Sequence, residues 1–326
     1  MKATAIAQTN IAFIKYWGKK DELLKIPQNG SISMNLSNLN TTTTVEFNNS
    51  LSADYVEIEN LNDEKSVLKI VAHLDLIRNL AKIKYKAKVK SKNNFPSGTG
   101  LSSSASGFAA LTVAACAASG LSLNEKELSI IARQGSGSAC RSIPDGFVEW
   151  FSKNGSESSY AKSIYPPDYW NICDVVAIVS NEKKETSSTA GQTLAKMSPF
   201  YKKRLSMIAT KIKIIKKLIK EKKFKEFGEL CEAEALEMHA VMLTSNPPLI
   251  YWQPETLRLM KQIRKWRTDG LFDAYFTINT GQDVHVLCLE KDASAIKDRL
   301  SSIDYVKEII VNKPSYGTRL IEKPLF

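Results

Sequence analysis

The chain has 326 residues, a length that predicts either one large domain or two fused domains. Hydrophobic residues make up 43% of it, which excludes a disordered chain, and no run approaches the ~20 apolar residues of a membrane-spanning helix. The formal net charge of +11 suits either a nucleic acid or a small anionic substrate. Because the N-terminus shows neither an apolar signal core nor a cleavage site, we expect a cytoplasmic protein.

The five cysteines and three histidines are scattered along the chain. No two cysteines form a C-x-x-C pair, the spacing of many zinc sites and redox centres. An odd number of scattered cysteines suits a reducing compartment. The sequence therefore predicts no metal bound by protein ligands alone.

Strand-like and helix-like segments are mixed in the first half of the chain. β-Branched and aromatic residues predict strands, whereas apolar residues every three or four positions predict helices. Strands are predicted at Ala3–Tyr16, Thr41–Phe47, Tyr55–Glu59, Ala87–Phe95, Phe147–Phe151 and Asp174–Ser180. Helices are predicted at Ser66–Ile83, at 108–118 and at Asn124–Arg133, the last capped by Asn124.

The second half begins with helices and ends with strands. Helices are predicted near 188–197, 199–223, 225–243, 254–268 and 293–301, and strands near 274–279, 284–290 and 308–312. Because strands and helices do not alternate strictly, the pattern favours an α+β fold over a doubly wound parallel sheet. No composition break marks a boundary, and we place it near residue 180, giving domains 1–180 and 181–326.

Much of the positive charge lies in the helical segment 201–226. Its apolar residues recur at spacings of three and four, which predicts one buried stripe below a solvated lysine face; they are Leu205, Ile208, Ile212, Ile215 and Ile219. The alternative is an RNA-binding helix. We favour the solvated surface and expect no nucleic acid and no membrane as partner.

A glycine- and serine-rich loop, PSGTGLSSSASG, spans residues 96–107 between a predicted strand and a predicted helix. Glycines let a ligand approach the backbone closely, and the free N–H groups of a helix N-terminus attract anions. The candidate phosphate-binding residues are Gly98, Gly100, Ser102, Ser103, Ser104 and Ser106. The loop matches neither the P-loop nor the G-x-G-x-x-G fingerprint, and small residues that merely allow tight helix packing are the alternative.

Several motifs together resemble the mevalonate diphosphate decarboxylase branch of the GHMP kinase superfamily. They include QTNIAFIKYWGK at 8–19, the glycine-serine loop, GSGSACRSI at 135–143, SSTAG at 187–191 and AYFTINTGQDVHVL at 274–287. The matches follow the family's order over nearly the whole chain. The resemblance implies a two-lobed α+β fold with a deep active-site cleft and an N-terminal lobe like domain 2 of ribosomal protein S5. Relatives are often dimers, so it also allows a homodimer.

The resemblance also implies roles for individual residues. Lys15 would stabilise charge on a departing 3-phosphate, and Arg141 would clamp the substrate carboxylate. Substrate-binding positions match Tyr16, Trp17, Lys19, Ser136, Gly137, Ser138, Thr189 and Gln192. Asn93 is a further candidate on the nucleotide side, and ATP with Mg²⁺ is expected wherever phosphorylation of the 3-hydroxyl is retained.

The position of the family's catalytic aspartate departs from the family pattern. Asn279 replaces the aspartate to which deprotonation of the 3-hydroxyl is assigned, and an amide cannot accept that proton. Asp283 and Asp145 are candidate substitutes. Acidic residues beside an anion pocket would repel a second phosphate, so we expect a substrate with one phosphate at C5.

Four functions are compatible with these features. The first is a decarboxylase that yields isopentenyl phosphate, from 5-phosphomevalonate plus ATP or from mevalonate 3,5-bisphosphate without ATP or another cofactor. The second is the ATP-dependent diphosphomevalonate decarboxylase of isoprenoid biosynthesis. The third is a 3-kinase that does not decarboxylate, and the fourth is a non-catalytic protein that binds RNA or lipid.

Overall fold

The computed structural model describes residues 1–59, 63–95, 100–182 and 184–326. The strands are β1 (Lys2–Ile14), β2 (Lys19–Asp21), β3 (Ile26–Pro27), β4 (Ser31–Asn48), β5 (Tyr55–Ile58), β6 (Lys86–Asn93), β7 (Phe147–Trp150), β8 (Ala161–Tyr165), β9 (Ile172–Ile178), β10 (Tyr275–Thr277), β11 (Val284–Leu289), β12 (Glu308–Asn312) and β13 (Arg319–Ile321). The helices are α1 (Glu64–Ala81), α2 (Ser103–Ala118), α3 (Glu125–Gly135), α4 (Ser188–Thr193), α5 (Tyr201–Glu221), α6 (Phe224–Leu243), α7 (Pro254–Thr268) and α8 (Glu290–Ser301).

The first sheet is built around the long strands β1 and β4, which pair antiparallel. One half of β4 also pairs with β6 and the other half with β7, so a single strand spans two regions of the sheet. Helix α2 packs on β1 and β4. Alanines line that contact, among them Ala109 and Ala114 on the helix and Ala5 and Ala7 on β1. Their small side chains let the helix approach the sheet closely.

The second sheet has the strand order β10-β11-β9-β12 and is antiparallel throughout. Helices α7 and α8 pack on it, α6 packs between it and β1, and α5 packs on α6 and β1. One apolar cluster joins the two halves, with Phe13 of β1, Ile215 of α5, Phe227 of α6 and Val176 of β9 as members. The end of β1 is therefore held at the junction of the two sheets.

The structure confirms the predicted α+β class and most predicted elements. Among the strands that the structure describes, four were not predicted: β2, β3, β8 and β13, the last of which pairs with β1. The boundary near residue 180 stays a prediction, although β9 pairs with strands of the second sheet and precedes that position. None of the helices that the structure describes is long and apolar enough to cross a membrane.

Candidate active site

A cavity of about 250 Å³ lies where the end of β1 meets the N-terminus of α2 and the turn after β10. It brings together most residues that the sequence predicted as site residues: Lys15, Tyr16, Trp17, Lys19, Gly100, Ser102, Ser103, Ser104, Ser136, Gly137, Ser138, Arg141, Thr189, Gln192 and Asn279. These residues come from five separate segments of the chain, so only the folded chain can assemble them.

Lys15 follows β1 directly and is 2% exposed. Its ammonium donates to Oδ1 of Asn279 at 3.2 Å. Burial lowers the pKa of Lys15 to about 7, although the nearby carboxylate of Glu234 opposes that change. Around neutral pH this side chain therefore exchanges readily between its cationic and neutral forms.

Arg141 lies in the 3-10 turn Gly137–Ser142 and is also buried. Its Nε and Nη2 donate to Oδ1 of Asn10 at 3.0 and 2.9 Å, and its Nη1 donates to Oγ of Ser31 at 3.0 Å. The guanidinium also lies 5.7 Å from the ring centroid of Trp150. A guanidinium has five donors, so this fixed fork keeps donors for a carboxylate or phosphate in the cavity.

The segment after Lys15 forms one wall of the cavity. Tyr16 packs edge-on against Trp150, with ring centroids 4.6 Å apart. Lys19 is 5% exposed, and its ammonium lies 2.5 Å from Oε2 of Glu22. Gly18 has a φ of +92°, and a Cβ there would lie 1.9 Å from Oη of Tyr201. Only glycine fits this turn, which places Lys15 and Lys19 on the same cavity.

The glycine-serine loop reaches the cavity through the N-terminus of α2. Ser102 has a φ of +62° and precedes the helix, and its Oγ accepts from Nδ2 of Asn279 at 3.2 Å. Gly100 has a φ of +116°, and a Cβ there would lie 2.7 Å from Cα of Gly281. Backbone contact between two glycines thus brings the loop against the Asn279 turn.

One of the predicted loop positions, Ser106, does not line the cavity. Ser106 is fully buried, and its Oγ lies 2.6 Å from Oγ1 of Thr41, so it binds the sheet below the helix. Gly98 lies outside the described residues, as do its neighbours at positions 96, 97 and 99.

A second, larger cavity of about 590 Å³ lies on the other side of the α2 N-terminus. Its walls are partly apolar, with Ile70, Val89, Phe108 and Leu111 among the lining residues, and Asn93 lies at its edge. Five residues line both cavities: Lys69, Ser103, Ser104, Lys184 and Ser187. The two spaces therefore meet at a helix N-terminus with two lysines, which suits a phosphate chain between a nucleoside and an acceptor.

The two acidic residues predicted as substitutes for the missing aspartate do not reach the cavity. Oδ1 of Asp283 accepts from the main chain of Val179 at 3.1 Å, and Oδ1 of Asp145 accepts from that of Gly317 at 2.6 Å. Both carboxylates cap backbone groups, and neither residue lines the cavity. Among the described residues that line the smaller cavity, none is aspartate or glutamate.

Three cations of the site were not predicted from the sequence: Lys25, Lys69 and Lys184. Burial lowers the pKa of Lys184 to about 8, and its ammonium donates to Oγ of Ser188 at 2.8 Å and to the carbonyl of Thr280 at 2.9 Å. Each lies in a lysine-rich stretch without a recognisable motif, so no local signal separates it from a surface lysine.

His239 was not predicted either. Its Nε2 donates to the carbonyl of Asn279 at 2.9 Å, and its ring stacks on Trp252 with centroids 4.6 Å apart. Burial lowers the pKa of His239 to about 3, so the ring is neutral at physiological pH. It holds the main chain of the residue that contacts Lys15.

Family models match both halves of the chain. Residues 7–161 match the Diphosphomevalonate decarboxylase-like N-terminal domain, and residues 174–316 match the Mevalonate 5-diphosphate decarboxylase C-terminal domain. The chain is 34% identical over 321 residues to the diphosphomevalonate decarboxylase of Candida albicans, covering 93% of this chain and 87% of that one. With the human diphosphomevalonate decarboxylase it shares 32% identity over 309 residues, covering 88% and 76% of the two chains.

Comparison with solved structures points to the same family. The mevalonate diphosphate decarboxylase of Staphylococcus aureus superposes with a TM-score of 0.92 at 37% identity, over 98% of each chain. A complex of MDDEF with MVAPP, AMPPCP and magnesium superposes with a TM-score of 0.92 at 37% identity, over 99% of each chain. The GHMP-like two-domain α+β fold implied by the resemblance is thus confirmed. The chain belongs to the diphosphomevalonate decarboxylase family and is a carboxy-lyase of the mevalonate pathway.

Proposed function

We propose that this chain is an ATP-dependent diphosphomevalonate decarboxylase, which converts 5-diphosphomevalonate and ATP to isopentenyl diphosphate, CO₂, ADP and phosphate. The sequence alone ranked this function second, after a decarboxylase that yields isopentenyl phosphate. The names of the relatives favour the diphosphate. So does a solved structure from Enterococcus faecalis that describes ATP binding mediated by mevalonate diphosphate, at 36% identity and a TM-score of 0.91 over 99% of each chain.

The observation that carries the proposal is the charge of the smaller cavity. Among the described residues, no carboxylate lines it. Six cationic side chains do: Lys15, Lys19, Lys25, Lys69, Lys184 and Arg141. Such a site favours the more highly charged of two related anions. Acidic residues beside the pocket would favour a substrate with a single phosphate, but Asp145 and Asp283 lie elsewhere. Nothing in the described lining therefore disfavours a second phosphate.

The residues divide the chemistry between them. Arg141 binds the substrate carboxylate with its remaining donors, and the lysines of the cavity bind phosphate oxygens. When the bond from C3 to oxygen breaks, its electron pair leaves with the 3-phosphate. The bond between C1 and C2 supplies the pair for the new double bond, and CO₂ departs. The Lys15 ammonium stabilises the negative charge that builds up on the leaving phosphate.

The larger cavity would hold the nucleoside of ATP, with its phosphates at the α2 N-terminus beside Ser103 and Ser104. Among the described residues, no three His, Cys, Asp or Glu side chains cluster to hold a metal. The site therefore fits Mg²⁺ carried by phosphate oxygens rather than by a protein cage. When bound, Mg²⁺ neutralises charge on the transferred phosphoryl group.

Asn279 favours a second candidate, the ATP-independent decarboxylation of mevalonate 3,5-bisphosphate. That substrate already carries its 3-phosphate, so no base is needed to activate a hydroxyl. Lys15 contacts an amide here, and the described lining of the cavity contains no carboxylate that accepts a proton. The nucleotide-sized second cavity weighs against this candidate.

A substrate panel tests the proposal. The purified protein is incubated with 5-diphosphomevalonate, 5-phosphomevalonate and mevalonate 3,5-bisphosphate, each with and without ATP and Mg²⁺. CO₂ and ADP are measured together. We expect equal amounts of both from the diphosphate, and only with ATP. CO₂ from the bisphosphate without ATP, and none from the diphosphate, would establish the second candidate instead.

The charge state of Lys15 predicts a pH dependence. The ammonium form is required, and burial lowers the pKa of this group to about 7 in the free protein. Its contribution is therefore present below that pH and is lost as pH rises through it. We expect kcat/KM for CO₂ release to fall above about pH 7. The fall in kcat should occur at higher pH, because bound phosphates favour the ammonium. Coincident profiles for both parameters would contradict this.

Two of the four functions predicted from the sequence, the 3-kinase and the non-catalytic binder, disagree with the carboxy-lyase family of the chain. The lysine-rich helix α5 buries Ile208, Ile215 and Ile219 in the apolar core, as its stripe predicted. A cytoplasmic location and a homodimer stay predictions.

A further inference from the structure

A cluster of buried charged side chains lies directly behind Lys15. Arg204 and Lys211 come from α5, and Glu234 comes from α6; they are 3%, 7% and 0% exposed. One carboxylate oxygen of Glu234 pairs with Nη2 of Arg204, and the other lies 2.8 Å from Nζ of Lys211. Lys211 also pairs with Glu237, whose side chain is 41% exposed.

This cluster contacts the main chain of Lys15 from two sides. The amide N–H of Lys15 donates to Oε1 of Glu234 at 3.2 Å, and its carbonyl accepts from Nη2 of Arg204 at 2.9 Å. Asn29 donates to the same carbonyl at 2.9 Å. Because α5 and α6 pack on β1, these bonds hold the end of β1 against the second half of the chain.

Stability alone does not explain why these charged side chains are buried. Burying a charged group is costly, and well-packed apolar residues of similar volume often stabilise a protein as well or better. Among the described residues, Nε and Nη1 of Arg204 find no hydrogen-bond partner, which adds to the cost. The neighbouring junction between the halves is an apolar cluster that includes Phe13, Ile215 and Phe227. A charged cluster beside it, in contact with Lys15, therefore indicates a role in the site.

We propose that Glu234 is a positioning residue that fixes the main chain of Lys15 and whose negative charge favours the ammonium form that the reaction requires. Arg204 orients the Glu234 carboxylate. The positive charge of Lys211 counteracts the effect of the Glu234 charge on Lys15. The inference rests on the proposed function, because it needs Lys15 to act as a cation. Glu234 acts through Lys15 and does not itself touch the substrate.

The other charged and titratable groups around Lys15 come from several elements. Asp174 of β9 and Glu234 favour its ammonium form, and Arg141 disfavours it, whereas Cys231 of α6 is a neutral thiol because burial raises its pKa. His239 is also on α6. Burial, together with the charge of Lys15, lowers its pKa to about 3, so its ring is neutral. Of the groups that favour the ammonium, Glu234 also bonds the main chain of Lys15.

Charge substitutions within the cluster test the inference. Glu234→Gln keeps the shape and removes one negative charge, so the fall in kcat/KM with pH should move to lower pH by at least about half a unit. Lys211→Met removes one positive charge and should move it to higher pH by a similar amount. The double variant restores the balance and should return the profile to its wild-type position. Glu237→Gln is the matched control: it removes the exposed partner of Lys211 and should cause little change.

Carbamylation of Lys15 by cyanate gives a second readout, because cyanate reacts only with the neutral amine. Its pH dependence, followed by peptide mass spectrometry, needs no turnover and should shift in the same directions. Where Glu234→Gln fails to fold, Lys211→Met and the double variant carry the test. Lower activity with unmoved profiles would overturn the inference. A wild-type protein that releases no CO₂ would reject the proposed function alone, since carbamylation still reports on Lys15.

Discussion

Replacing Lys15 by methionine is expected to lower kcat for CO₂ release by about 100- to 1,000-fold, the usual cost of removing one group that stabilises transition-state charge. Methionine fills nearly the same volume without the ammonium. Lys15 is 2% exposed, and loss of a buried charge should leave the fold intact. Steady-state CO₂ release from 5-diphosphomevalonate and a thermal unfolding curve measure the two effects.

Lys20 provides the control for this substitution. It lies five positions along the same segment but is exposed, and its ammonium binds the carbonyl of Ser152 at 3.1 Å. Lys20→Met should therefore retain kcat within about twofold, in line with surface substitutions generally. If Lys15→Met kept more than a tenth of the wild-type kcat while folded, Lys15 would not be the group that stabilises the leaving phosphate.

Changing Asn279 to aspartate should have an effect at least as large, in the opposite direction. Oδ1 of Asn279 lies 3.2 Å from Nζ of Lys15, so a carboxylate there supplies a base at the reacting centre and an anion beside the ammonium. General base catalysis contributes about 100- to 10,000-fold, and we expect a gain of that order in transfer of the ATP phosphoryl group. Single-turnover ADP formation with 5-diphosphomevalonate measures this step directly.

Asn279→Leu separates the base from the loss of the amide, since leucine keeps the branch at Cγ but carries neither an acid nor an amide. It should give no gain. The aspartate variant should also move the fall in activity to higher pH, because an opposite charge raises the pKa of Lys15. Equal ADP formation by the wild type and the aspartate variant would mean that another group already activates the hydroxyl.

Sequence patterns predicted most of the secondary structure, because helix capping and the spacing of apolar residues depend on neighbouring residues in the chain. Asn124 was predicted as a cap from its position before an apolar repeat. Its Oδ1 accepts from the N–H of Glu127 at 3.0 Å, and the Glu127 side chain accepts from the N–H of Asn124 at 2.8 Å. Strand β8 was missed because AKSIY is short and has little pattern, and its pairing with β7 depends on a distant segment.

The site was predicted only where residues follow one another in a motif. Lys15 and Arg141 were found in this way, and the fold brings both to one cavity. Asp145 shows the limit: it follows Arg141 closely in sequence, yet its carboxylate binds the main chain of Gly317 on another surface. Glu234 carries no sequence signal, since glutamates are frequent on helices and only tertiary packing buries this one.

The pairing of β13 with β1 has a consequence for the architecture. Residues 319–321 cross back from the second half and lie beside Thr4, Ala5 and Ile6 in the first sheet. Separate expression of residues 1–180 would leave that edge of β1 open, and an open strand edge invites self-association. The two halves are thus parts of one interlaced unit rather than interchangeable modules, and the cleft between them forms only when the whole polypeptide has come together.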